Sequence, residues 1–106
     1  MELDKIVKNI SSEESGEREC GFSDLGLLDE DEQKQAIKLA FEVHIRDDRL
    51  LEYNESCDAA AELIQKVKEL GYVDKFCGYI KELYELSVNT PTSKARKIVK
   101  AVRGVT

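Results

Sequence analysis

Residues 49–88, RLLEYNESCDAAAELIQKVKELGYVDKFCGYIKELYELSV, decide the fold class. Leu50, Tyr53, Cys57, Ala60, Ala61, Ile64 and Val67 recur every three or four residues. That is the spacing of one apolar helix face, and it predicts a helix from Arg49 to Leu70. Gly71 then stands where a left-handed C-cap costs a glycine nothing. Val73, Phe76, Cys77, Ile80, Leu83 and Tyr84 restart the period as a second apolar face. A connection this short makes the two helices antiparallel neighbours. The small side chains of Cys57, Ala59, Ala60 and Ala61 let a further helix approach closely.

Working outward, DEDEQKQAIKLAFEVHIRDD (29–48) predicts another helix. Its acids, Asp29 to Glu32, sit where the positive end of the helix dipole favours them. Ile37, Ala40, Phe41 and His44 form its apolar face, and Asp47 or Asp48 is placed to end it. On the other side, SVNTPTS (87–93) breaks the pattern, with Thr90 expected as N-cap and Pro91 at the first helical position. Ala95, Ile98, Val99 and Val102 then stripe a final helix that Gly104 is expected to stop. At the N-terminus, Leu3, Ile6, Val7 and Ile10 predict about two helical turns. SSEESGEREC (11–20) is polar and aperiodic and is expected as a loop or linker, followed by a short apolar knot, CGFSDLGLL (20–28). The expected organisation is therefore a short helix plus a polar, flexible linker over 1–26 and a helical-hairpin domain over 27–106. The expected fold class is all-α, with antiparallel hairpins stacked as a short TPR-like α-solenoid or bundle.

At 106 residues, with 42% hydrophobic and 36% charged side chains, the chain is sized for one domain with a modest core. No apolar run approaches the roughly 18 residues of a membrane span. The three cysteines, Cys20, Cys57 and Cys77, are an odd number without close pairing, which points to free thiols and a cytoplasmic or nuclear setting.

Catalytic and metal signatures are missing from the residue pattern. His44 is a single candidate ligand without a companion cluster and reads as a structural or surface histidine. Cys57 and Cys77 fall on faces expected to be buried, where a thiol behaves as a small apolar group, and Cys20 is expected at the surface. DEDE and RDDR lack the alternating acids, central glycine and closing glutamate of a calcium loop. Neither a phosphate-cradling glycine loop nor a nucleophile motif occurs. The expectation is a non-catalytic chain with no cofactor and no metal.

Charge is the feature left to explain, because the formal net charge of -6 is unevenly spread. Residues 1–35 carry eleven acids and four bases, and residues 36–90 eleven acids and seven bases; residues 91–106 carry five bases and no acid. Those five, Lys94, Arg96, Lys97, Lys100 and Arg103, are the candidate partner surface. Basic residues near a helix C-terminus are also expected on dipole grounds alone. As a nucleic-acid element the segment lacks stacking aromatics and is attached to an acidic body. As a membrane-surface helix it is short and has no Trp, Phe or Leu to insert.

Taken together, LLDEDEQKQAIKLAFEVHIRDD (27–48) through TSKARKIVKAV (92–102), with Gly71, Gly78 and the closing basic SKARKIV, resemble the N-terminal solenoid of the PCI-domain, TPR-like subunits of the 26S proteasome lid. The resemblance covers residues 27–103. It implies a scaffold of stacked hairpins that touches neighbouring proteasome subunits and has no peptidase chemistry of its own. Residues 1–26 find no counterpart and the C-terminal PCI module is absent, so it further implies a fragment or a reduced homologue, with an apolar end face open after Val102. The alternative expectation is a small helical nucleic-acid-associated regulator acting through its basic last helix. A third is a small enzyme or metal protein built around His44 and the acids near it.

Overall fold

The computed structural model describes residues 3–90 and 92–105. Gly71 closes the decisive helix as its pattern requires, with φ at +79° and its N–H directed to Lys68 O and Val67 O. Around it, the described residues form six α-helices and no strand: α1 (Leu3–Ile10), α2 (Ser15–Leu25), α3 (Glu30–Arg46), α4 (Asn54–Leu70), α5 (Val73–Val88) and α6 (Ala95–Val105).

Consecutive helices pair as three hairpins, α1/α2, α3/α4 and α5/α6, and the hairpins stack. Residue pairs fix the direction of each contact. Between α2 and α4, the order runs from Glu13–Ser56 to Arg18–Glu62. From α3 to α5 it runs from Gln33–Tyr72 to Glu42–Tyr79, and from α4 to α6 it runs through Asp58–Lys97 to Lys68–Gly104. All three sets ascend together, so like helices of successive hairpins run parallel. The odd helices make one layer and the even helices the other, a two-layer all-α bundle of stacked hairpins. The three hairpins extend 39 × 27 × 20 Å. The radius of gyration, 12.6 Å, is accordingly close to the roughly 13 Å of a compact domain of this length.

The core lies between the layers. Phe41 of α3 is fully buried and meets Phe76 and Tyr79 of α5, each with ring centroids 5.7 Å away. Cys57, Ala59 and Ala60 of α4 are buried as expected of small residues at a close helix approach, with Leu63, Ile64 and Val67 continuing the face. Asp29 caps α3 by accepting from the Glu32 N–H at 2.8 Å, and the helix ends at Asp47.

Several local expectations are corrected. The polar stretch read as a loop is largely the helix α2, and its buried positions explain why no periodicity shows. They are Arg18, Gly21 and Leu25, at helical spacing but with only one large apolar residue among them. The helix expected from Arg49 is a 3-10 turn over Leu50–Glu52, and α4 starts at Asn54, which leaves Tyr53 exposed. Asp47 Oδ1 accepts from the Arg49 N–H at 2.9 Å, turning the chain there. At the last connection Thr90 stays in a turn after α5, bonded to Ser87 O; it is Thr92 Oγ1 that accepts from the Ala95 N–H at 3.2 Å. Pro91 lies outside the described residues. Gly104 does not stop the last helix, which runs on to Val105. Cys77, expected in the core, is exposed. Non-helical backbone angles at Phe76 kink α5 and turn Phe76 inward to Phe41, with Cys77 next to it on the outside.

Candidate functional site

The five basic residues singled out from sequence divide into two sets. Lys94 and Lys97 point back at the bundle: Lys94 Nζ donates to Glu52 O at 2.6 Å, and Lys97 forms a 2.8 Å ion pair with Asp58. The Lys97–Asp58 pair and the Lys68–Gly104 bond clamp α6 against α4, and Lys94 ties the chain just before α6 to the turn that precedes α4. Arg96, Lys100 and Arg103 are exposed and make no ion pair among the described residues. Their spacing, four and then three residues, puts them in one row along α6. The opposite side of the helix buries Ala95, Ile98, Ala101 and Val102. The sequence reading took these five residues as one surface, whereas the fold divides them into a structural clamp and an open row.

Beside that row is a feature the sequence did not isolate. A groove of about 480 Å³ runs between α5 and α6, with Val73, Cys77, Ile80, Tyr84, Val102 and Val105 as its apolar lining. The two charged residues in the lining, Lys81 and Arg103, are both cationic. No residue of α1–α4 lines it, so it lies on the outer side of the last hairpin, at the end of the stack. Its signal lies in the sequence, where Val73, Cys77, Ile80 and Tyr84 share one apolar face with Phe76 and Leu83. The inner half of α5 is Phe76, Ile80, Leu83 and Ser87.

The other end of the stack is different. Exposed positions on α1 and α2 include Asp4, Lys5, Lys8, Glu17, Glu19 and Ser23. The large apolar side chains that are well exposed, Leu27, Val43, Tyr53, Leu86 and Val88, all lie outside those two helices. The fully exposed positions of the first hairpin are thus mainly polar, whereas the last hairpin carries the apolar groove.

His44 is placed by α3 in the interior, 3% exposed, and its Nε2 has no hydrogen-bond partner among the described residues. Burial pushes its pKa down to about 4, opposed by Asp47 and assisted by the Arg18 charge. Among the described residues no group of three His, Cys, Asp or Glu side chains converges as a metal site. No helix among them is long and apolar enough to cross a membrane. The chain matches no protein family, no curated protein and no solved structure.

Proposed function

We propose that this chain is a non-catalytic protein-interaction module that binds through the open end of its helical stack. The observation that carries the reading is the inequality of the two ends, one hairpin polar on its outer side and the other presenting an apolar groove with cationic walls. Stacked-hairpin proteins need a polar cap at each end, and an apolar groove edged by charge is the usual form of a helix-binding surface. The proteasome-lid resemblance would make the partner another subunit of that assembly. The rival use of the basic row, nucleic-acid binding, draws less support: α6 carries no aromatic residue and the remaining body is acidic.

Affinity capture from native extract, using the intact chain and an Arg96→Glu/Lys100→Glu/Arg103→Glu variant side by side, tests this. A protein partner held by the wild type and lost from the folded variant is expected, and proteasome subunits in that fraction would support the lid assignment. Identical captures from both would remove the proposed face.

A further inference from the structure

We propose that the α5–α6 groove seats one amphipathic helix of a partner protein, with an apolar stripe on its inner side and acidic residues along its flanks. This rests on the interaction-module reading and names the chemistry of the partner. The floor, Val73, Cys77, Ile80, Tyr84, Val102 and Val105, has the stripe form that takes apolar anchors at i, i+3 or i+4, and i+7. α6, 11 residues, is about 16 Å long, enough to hold two turns of anchors or more.

Charge selects the flanks. In a chain of net charge -6, the charged lining of this groove is Lys81 on one wall and Arg103 on the other. α6 contains no acid, and Lys100 lies towards its α4 side, outside this groove. The exposed acids of α5 nearest by helical position, Asp74 and Glu85, are outside the lining. An acidic flank would meet cations on both sides, whereas a basic one would be repelled.

A second copy of the chain fits this seat poorly. Two copies meeting groove to groove would set Arg103 and Lys81 against themselves. Head-to-tail stacking would press the groove on α1 and α2, whose exposed positions are mainly charged or polar and whose Leu3 and Phe22 are half-buried.

The test uses a capped synthetic helix of about five turns, with leucines at i, i+3 and i+7 spacing and glutamates beside them. Its binding to the intact chain is followed by fluorescence anisotropy at low salt. Saturable micromolar binding is expected, weakened about tenfold or more by Arg103→Glu and by Tyr84→Glu and unchanged by Lys8→Glu at the other end. A peptide with lysines in place of the glutamates should not bind. Absence of saturable binding, equal binding of the lysine peptide, or displacement by a single-stranded oligonucleotide would overturn the proposal. So would sedimentation showing that the wild type self-associates and Arg103→Glu does not. A partner captured from extract by the wild type and lost from the triple variant, together with no peptide binding, would leave the module reading standing and sink this one.

Discussion

Arg18 of α2 and Glu62 of α4 meet at 2.8 Å with unequal exposure, 4% and 43% of their side-chain surfaces being open to water. The guanidinium also donates to Ser12 O and Glu13 O at 3.0 and 2.9 Å, so one buried cation ties the first hairpin to the second. The asymmetry sets the outcome of substitution. Removing Glu62 strands a buried charge, and Glu62→Ala is expected to cost about 2–3 kcal/mol. Removing Arg18 lets Glu62 return to water, and Arg18→Met, which keeps the apolar stem, is expected to cost about 1–2 kcal/mol through the two abandoned carbonyls. The double variant should lose less than the sum. Urea unfolding of the four proteins checks both the order and the non-additivity.

The glycines separate a packing requirement from an incidental choice. A Cβ at Gly21 would lie 2.7 Å from Asn9 Cβ and 2.8 Å from both Ile10 Cγ2 and the Ile10 backbone nitrogen. Backbone cannot swing aside, and Gly21→Ala is expected to destabilise by about 1–3 kcal/mol as α1 and α2 are forced apart. Nothing lies within 4 Å of a Cβ at Gly78, in the middle of α5. Gly78→Ala should therefore stabilise by about 0.5–1 kcal/mol. Thermal melts with opposite shifts would verify the contrast.

His44 imposes a pH dependence whose sign is fixed. Its folded pKa, about 4, lies below the ordinary value of about 6.5, so between those limits the unfolded chain binds a proton that the folded chain does not. The contribution of His44 is complete above pH 6.5 and is lost progressively as the pH falls towards 4. The full loss is about 3 kcal/mol. Urea midpoints measured from pH 7.5 to 4.5 should fall more steeply for the wild type than for His44→Leu or His44→Gln. Parallel curves would show that His44 titrates normally.

The two sets of basic residues should behave differently in stability measurements. Arg96→Glu and Arg103→Glu, on the open side of α6, are expected to leave stability within about 0.5 kcal/mol. Lys97→Ala breaks the ion pair with Asp58, whose partners are 40% and 41% exposed, and should cost up to about 1 kcal/mol. Screening by salt should shrink that difference.

The hairpin order from α3 to α6 was legible because large apolar residues repeat at helical spacing and Gly71 marks the turn. α2 was illegible for a physical reason. Its inward positions are filled by an arginine whose two terminal nitrogens bond backbone carbonyls and a carboxylate, and by a glycine in close approach to α1. Hydropathy registers neither. The last connection misled because Thr90-Pro91 is a good cap on paper, while Thr92 holds the bond that starts α6. For the candidate surface, charge drew attention to α6, but only the fold shows Lys94 bonded to Glu52 O and Lys97 paired with Asp58 of α4. Cys77 and Tyr84 looked like core residues because a groove lining and a core face share the same period along a helix.

The cysteines provide the most direct test of the central claim that binding takes place at the open end of the stack. Cys77 lines the groove, Cys20 lies on the opposite hairpin, and both are exposed; Cys57 is buried, and burial raises its thiol pKa. The measurement is alkylation of the intact chain, free and in its captured complex, with the modified cysteines read by mass spectrometry. Complex formation is expected to slow Cys77 about tenfold or more and to leave Cys20 unchanged, with Cys57 unreactive throughout. Equal alkylation of Cys77 in the free and bound chain, or selective protection of Cys20, would contradict it.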